Sequence, residues 1–532
     1  MPSNDRSPFV QPISRRGLLK GALAAGGALA LGRTALRTST ARADSAVAST
    51  PIRFTPFTAD MPVPPVLSPR AAFSSAATSQ LQPAWGTLAP RYYQVTQRTA
   101  TTEIIPGVPT EVLTYGGLYP GPTIRARLNE PAIVRFSNAL DRELSVHQHG
   151  GHTPSASDGF PNDFIQPGAS KDYCYPNIVP ENDPSEVQST MWYHDHAMDI
   201  TGENVYRGLA AFYLVSDALE DGLVGSNVLP GGAFDVPVVL QDKALNSDGS
   251  LYFNNFEHNG FLGDLLLANG KAQPRFVVQR RKYRFRFLNG ANARIFMLRL
   301  SNGQPFVQVG ADSWLLPTAL QRDTLLLGMA ERADVIVDFR NAPNELFLEN
   351  IMVQGSGAGP DGTVASPPTQ IPGKPMIKFV VQGSPVPNDA TIAVGRALRP
   401  HHAITAAEVV TTRTFEFDRG NGGYVVNDRF FDPSRAGATP KRGTAERWIL
   451  RNRGGGWWHP IHIHLEAHQV QKFNGRDPAA WNSFKKDTTL LGGDDEAQVF
   501  IKFRTHTGPY VFHCHNLEHE DMRMMVRFDV VG

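Results

Sequence analysis

KYRFRFLN, Lys282 to Asn289, alternates large apolar and basic residues over most of its length. In a β-strand, side chains i and i+2 share a face. Tyr283, Phe285 and Phe287 therefore belong on one side and Lys282, Arg284 and Arg286 on the other, the pattern of a half-buried strand. The same kind of run stands at 131–139 (PAIVRFSNA) and 446–453 (ERWILRNR), and each run leads after a short loop into a second one. Those second runs are VHQHG (146–150), ARIFMLRLS (293–301) and HPIHIH (459–464). A further echo links ERADVIVDFR (331–340) with EAQVFIKFR (496–504). A spacing far wider than that of solenoid units implies duplicated whole domains. The expectation is an all-β chain of three β-sandwich domains, 44–220, 221–395 and 396–532. The outer two carry histidines where the middle one is apolar, so function should lie where the first and third domains meet. The Gly/Pro/Ser-rich stretch 354–375 reads as a surface loop.

A chain of 532 residues is too long for one core. Its 48 glycines and 41 prolines, with few 3.6-period stretches, favour turns and strands over helices. Residues 1–43 read as a targeting segment. SRRGLLK (14–20) is a twin-arginine pattern, an apolar run follows at 21–31, and Ala41-Arg42-Ala43 offers a cleavage point. That run is too short for a spanning helix, which needs about 20 residues. The expectation is export by the twin-arginine machinery to the periplasm or the exterior, with no stable membrane anchor in the mature chain. Removing residues 1–43 leaves 44 basic against 49 acidic residues, a formal charge of −5, which gives no sign of nucleic acid as a partner.

The sixteen histidines include four His-x-His pairs: His147/His149, His194/His196, His462/His464 and His513/His515. Random placement would give about 0.5 such pairs, so four are not chance. Parity puts His513 and His515 on one side of a strand and Cys514 on the other. His462 and His464 share a face, while His459 faces away if the strand extends that far. Two metal centres are therefore expected on either side of one backbone segment. One is ringed by eight imidazoles. The other is built from Cys514, His459 and a downstream histidine, for which His519 is the obvious candidate. Two histidines, a thiolate and a weak axial methionine make a blue-copper site, and eight imidazoles suit a cluster of two or three coppers. Zinc sites are usually closed and four-ligand, and zinc is redox-inert. With Cys514 a ligand, Cys174 is left as a free, buried thiol.

In HQHG (147–150), WYHDH (192–196), HPIHIH (459–464) and HCHNLEHEDMRM (513–524) the sequence resembles the multicopper oxidases over essentially the whole mature chain, closest to bacterial spore-coat laccases and bilirubin oxidases. The resemblance implies three cupredoxin domains and four copper ions. It assigns His147 and His462 to a type 2 copper, and His149, His194, His196, His464, His513 and His515 to a type 3 pair. Cys514, His459 and His519 go to a type 1 copper, with Met524, ten residues after the cysteine, as axial ligand. Met522 and Met525 stand close by in sequence. Asp158 and Glu520 match the family's proton-relaying acids, and Cys514 is its electron-transfer residue. Trp457 matches a tryptophan that abuts the type 1 histidine in bilirubin oxidases; an exposed aromatic rim is the alternative. His152, His258, His401, His402, His468 and His506 fit no motif, with His152 a candidate partner behind a ligand.

The reading is an exported laccase-like oxidase. Phenolic or diphenolic donors give single electrons near an exposed edge of His459 or His519, and O2 is reduced to two waters. Alternatives within the class are bilirubin and metal ions such as Cu(I), Fe(II) or Mn(II), although no methionine-rich run is visible. From another class, a copper-free structural relative is disfavoured because the ligand set is complete.

Overall fold

The computed structural model describes residues 52–73, 88–254, 256 and 258–532; the twin-arginine segment 1–43 lies outside them. In it KYRFRFLN is the strand Lys282–Asn289. The strand pairs in parallel with Asp235–Leu245 and antiparallel with Arg332–Asp338. Its two echoes have the same surroundings. Ala132–Asn138 lies parallel to Arg91–Ile105 and antiparallel to Ser170–Tyr175. Ala445–Asn452 lies parallel to Val409–Gly420 and antiparallel to Glu496–Lys502. The sequence repeat is thus a repeat of strand pairing.

The principal sheets among the described residues form three pairs, each continuous in sequence: strands between 91 and 216, between 235 and 382, and between 409 and 530. Each pair encloses its own core. Phe136, Tyr173 and Tyr193 lie in the first, Phe285, Phe287 and Phe379 in the second, and Trp448, Phe512 and Phe528 in the third. The protein is an all-β assembly of cupredoxin-like sandwiches. No helix among the described residues is long and apolar enough to cross a membrane.

The asparagine that closes each repeat explains why the loop after it is held. Asn138 donates its amide to the carbonyls of Arg142 and Ile165 and accepts from the Leu140 N–H. Asn289 does the same with Arg294, Leu327 and Ala291, and Asn452 with Trp457, Gly492 and Gly454. One side chain thereby satisfies three buried backbone groups that would otherwise be costly. The second and third of these loops lead to the runs at 293–301 and 459–464, so the staple helps set where the next strand begins.

Two expectations need correction. Lys282–Asn289 is buried on both faces, because its arginines join an ion network at the seam with the first sandwich. Arg284 contacts Asp334 and Glu220, and Arg286 contacts Asp235 and Glu220. Burial alone would raise the Glu220 pKa, but the two guanidinium groups overcome it and bring it down to about 2. The stretch 354–375 is not all surface loop. Its end opens the strand Thr369–Gln382, in register with Glu345–Met352, and Ala358 and Val364 are buried. Breaking one partner out of a buried ion network costs about 3–5 kcal/mol. Glu220→Ala should therefore lower unfolding stability by that amount in denaturant titration, and a loss below about 1 kcal/mol would show that the network is dispensable.

Candidate metal centres

Four short strands carry the histidine pairs or end one residue before their second member. Val146–His149 pairs with Thr190–Asp195, setting His147 opposite His194. His459–Ile463 pairs with Gly508–Cys514, setting His462 opposite His513 and Ile461 opposite Cys514. The result is a ring of eight imidazoles, none more than 1% exposed. His149 stacks on His462 at 3.6 Å between centroids and His147 on His464 at 3.8 Å. Parity holds at the odd positions too. Gln148 turns away to accept from the Thr153 hydroxyl, and Asp195 accepts from Ser145, Ala197 and Asn204.

The protonation pattern is readable from the partners. A backbone carbonyl only accepts, so a ring nitrogen facing one carries the proton. His147 Nδ1 donates to Asp158 O (2.6 Å) and His462 Nδ1 to Asp487 O (2.8 Å). Their Nε2 atoms are therefore bare lone pairs, and they face each other at 3.3 Å. His194 and His513 also spend Nδ1 on backbone carbonyls. His149 is reversed: its Nε2 contacts Asp487 Oδ1 at 3.0 Å and its Nδ1 is buried without a partner, as are His194 Nε2 and both nitrogens of His515. Converging lone pairs in a dry space call for cations, and the all-imidazole donor set suits copper. Burial lowers every one of these pKa values, to about 3 for His194 and about 4 for His196, and repulsion among the rings adds to it for all but His196. The imidazoles stay neutral, the form that ligates.

On the opposite face of the same strand, His459 Nδ1 lies 3.3 Å from Cys514 Sγ, His519 Nδ1 lies 3.6 Å from it, and the two nitrogens are 3.1 Å apart. Three donors at such mutual distances surround one ion with bonds near 2 Å. The Asn516 N–H points at the sulfur from 3.4 Å. Burial pushes the Cys514 thiol far up, so a bound cation must displace its proton. Met524 is fully buried in the same core cluster as Cys514. Its N–H donates to His519 O and its carbonyl accepts from Cys514 N–H. Met525 points instead toward Phe160, Phe431 and Val511, and Met522 is only partly buried. Cys174 is a free buried thiol.

Two carboxylates flank the ring. Asp158 Oδ2 sits 2.7 Å from His464 Nδ1, and Glu520 Oε1 lies 3.7 Å from His196 Nδ1. Burial raises both pKa values well above the carboxylate range.

The expected exposed edge at the thiolate centre is absent: His459 and His519 are both fully buried. Tyr424 stacks on His519 at 3.7 Å, Trp457 meets the His519 ring edge-on at 5.8 Å, and Arg419 lies over both aromatic rings. Asn259, from the middle sandwich, accepts from the Tyr424 hydroxyl through Oδ1 and from His519 Nε2 through its carbonyl. Trp457 therefore abuts a histidine of this centre, His519, and is half-buried.

The middle sandwich also supports the ring, a role that motif reading missed. Arg332 binds Asp487 through both terminal nitrogens, and Asp487 in turn holds His149 and His462. Asp487 follows two lysines in no recognisable motif, and its partner is 155 residues away. Of the remaining histidines, His152 donates to Leu465 O, directly after His464. His468 is a core residue bonded to Thr489.

A thiolate centre and an imidazole ring on two faces of one strand define a copper-dependent oxidoreductase. Multicopper oxidase family models match residues 96–220 and 400–531. The chain is similar to a bilirubin oxidase of Albifimbria verrucaria, 35% identical over 490 residues covering 89% of this chain and 81% of that protein. It is similar to a laccase of Bacillus subtilis strain 168, 31% identical over 506 residues covering 82% and 94%. A solved laccase from Pediococcus acidilactici Pa5930 matches with a TM-score of 0.76 at 27% identity, over 91% of this chain and 96% of that one. The chain belongs to the multicopper oxidase family, as a laccase-like enzyme.

Two measurements follow. Partners behind metal-bound histidines are worth about 10–100-fold in metal affinity. Arg332→Met and the isosteric Asp487→Asn should lower the chelator concentration that strips copper from the ring by that factor, while the thiolate centre keeps its colour; unchanged stripping would refute the role. His468 has a folded pKa of about 3, lowered by burial. Below pH 6.5 the unfolded chain takes up a proton there that the native state refuses. Its share of stability is therefore whole above about pH 7 and falls with acid by up to about 1.4 kcal/mol per pH unit. His468→Gln should flatten the acid limb of stability against pH, and an identical limb would contradict this.

Proposed function

We propose that this enzyme takes single electrons from phenolic or diphenolic donors and reduces O2 to two waters. The observation that carries the reading is the single segment His513-Cys514-His515, which presents a thiolate to one donor set and two imidazoles to another. Copper bound at these donors supplies one-electron acceptance beside Cys514 and dioxygen reduction within the histidine ring. The reading uses four ions. His459, Cys514, His519 and Met524 hold a type 1 ion, His147 and His462 a type 2 ion, and His149, His194, His196, His464, His513 and His515 a type 3 pair.

The chain's own residues divide the remaining work. Tyr424, Trp457 and Arg419 cover the His519 side of the thiolate centre, and Asn259 keeps Tyr424 and His519 in register. Cys514 joins the two centres covalently, so no gap has to be crossed between them. Reducing O2 consumes four protons. Asp158 and Glu520 supply them as buried acids whose burial raises their pKa values well above the carboxylate range, placed beside His464 and His196. The twin-arginine pattern supports export to the periplasm or the exterior after folding, with domains divided near 220 and 395.

Oxygen uptake by the copper-loaded mature protein tests this, with a diphenol, bilirubin, Cu(I), Fe(II) and Mn(II) offered separately. The diphenol should drive rapid uptake that Cys514→Ser abolishes. Uptake confined to bilirubin or a metal ion would overturn the donor class, and none from any donor would overturn the oxidase.

A further inference from the structure

A cleft of about 430 Å³ opens between residues 426–437 and the strand Met525–Val530, within the size range of small-molecule sites. Its inner wall is apolar, with Phe415 and Met525 buried and Phe430 on the rim. Its other lining is cationic. Arg527 is matched by Asp529 at 2.7 and 3.0 Å, but Arg429 and Arg435 have no carboxylate partner among the described residues. The one acid in the lining, Asp432, has its Oδ1 taken by the N–H and hydroxyl of Ser434. By contrast, the cavity lined by Arg125, Arg284 and Arg286 has all three guanidinium groups paired with acids.

One wall of the cleft reaches the core of the thiolate centre through an aromatic contact. The Phe415 ring packs 4.5 Å from Phe512, which stands two residues before Cys514 on the same strand face. Met525 pairs with His513 across the strands. Phe430 also packs on the hairpin that carries Tyr424: a Cβ at Gly423 would lie 2.8 Å from its ring.

We infer that this cleft binds an aromatic carboxylate donor, its ring against Phe415, Phe430 and Met525 and its carboxylate on Arg429 and Arg435. This rests on the phenol-oxidising reading and names its preferred substrates as phenolic acids. Apolar walls select the ring, and two unmatched guanidinium groups select the anion through charge-assisted hydrogen bonds. The reaction balances without another reactant. Four phenolic acids each lose one electron and the hydroxyl proton, and the four electrons and four protons convert one O2 to two waters.

The test compares 4-hydroxy-3,5-dimethoxybenzoate with neutral 2,6-dimethoxyphenol in copper-loaded wild type and Arg429→Ala/Arg435→Ala. Calorimetric binding of 3,4,5-trimethoxybenzoate, which has no phenol to oxidise, is measured alongside. The KM ratio of acid to neutral phenol should rise about tenfold in the variant, and trimethoxybenzoate binding should weaken by a similar factor. A ratio within about twofold of wild type, or no trimethoxybenzoate binding to wild type, overturns the assignment. Binding that the variant loses, with no O2 uptake from either phenol, supports the cleft as a site for aromatic anions and removes the oxidase reading instead.

Discussion

An extended backbone cannot place three consecutive side chains on one side. At His513-Cys514-His515 this constraint separates a sulfur from two imidazoles while leaving them covalently joined, and much of the structure serves to keep that segment extended. Strand His459–Ile463 brackets it on one edge and Met525–Val530 on the other. The same parity that turns Cys514 toward the third core aims His462 and His513 at the first sandwich. A single slip of register would exchange the two donor sets and destroy both.

Holding so many neutral imidazoles in a dry ring is unfavourable without cations, and the fold contains the lone pairs by fixing their partners. Backbone carbonyls of Asp158, Asp195, Asp487 and Cys514 take the ring protons. Arg332 anchors Asp487 from the middle sandwich. That sandwich carries no proposed ligand, yet it braces the ring through Arg332 and covers His519 through Asn259. The sandwich without histidine pairs therefore supports the ring and the thiolate centre from outside them.

Alternation and repeats made the three-sandwich plan legible, because half-buried strands write their period into the residues. The strand that best displayed that period, Lys282–Asn289, was nevertheless misread as half-exposed, since its arginines meet acids from distant segments that no local pattern announces. The clustering of the histidines was legible because His-x-His on strands leaves little freedom. Asp487, Arg332, Asn259 and Tyr424 were not, since each acts through a partner far away in sequence. The covered faces of His459 and His519 escaped for the same reason: Tyr424 and Asn259 reach them from far along the chain and leave no mark on the motif they cover.

The most direct test of two centres on one strand is copper per chain, measured together with the copper–thiolate colour, in wild type and Cys514→Ser. Four ions with blue absorption in the wild type, and three colourless ions in the variant, are the predicted result. Loss of all copper on removing Cys514, or a colour that survives without it, would contradict the account.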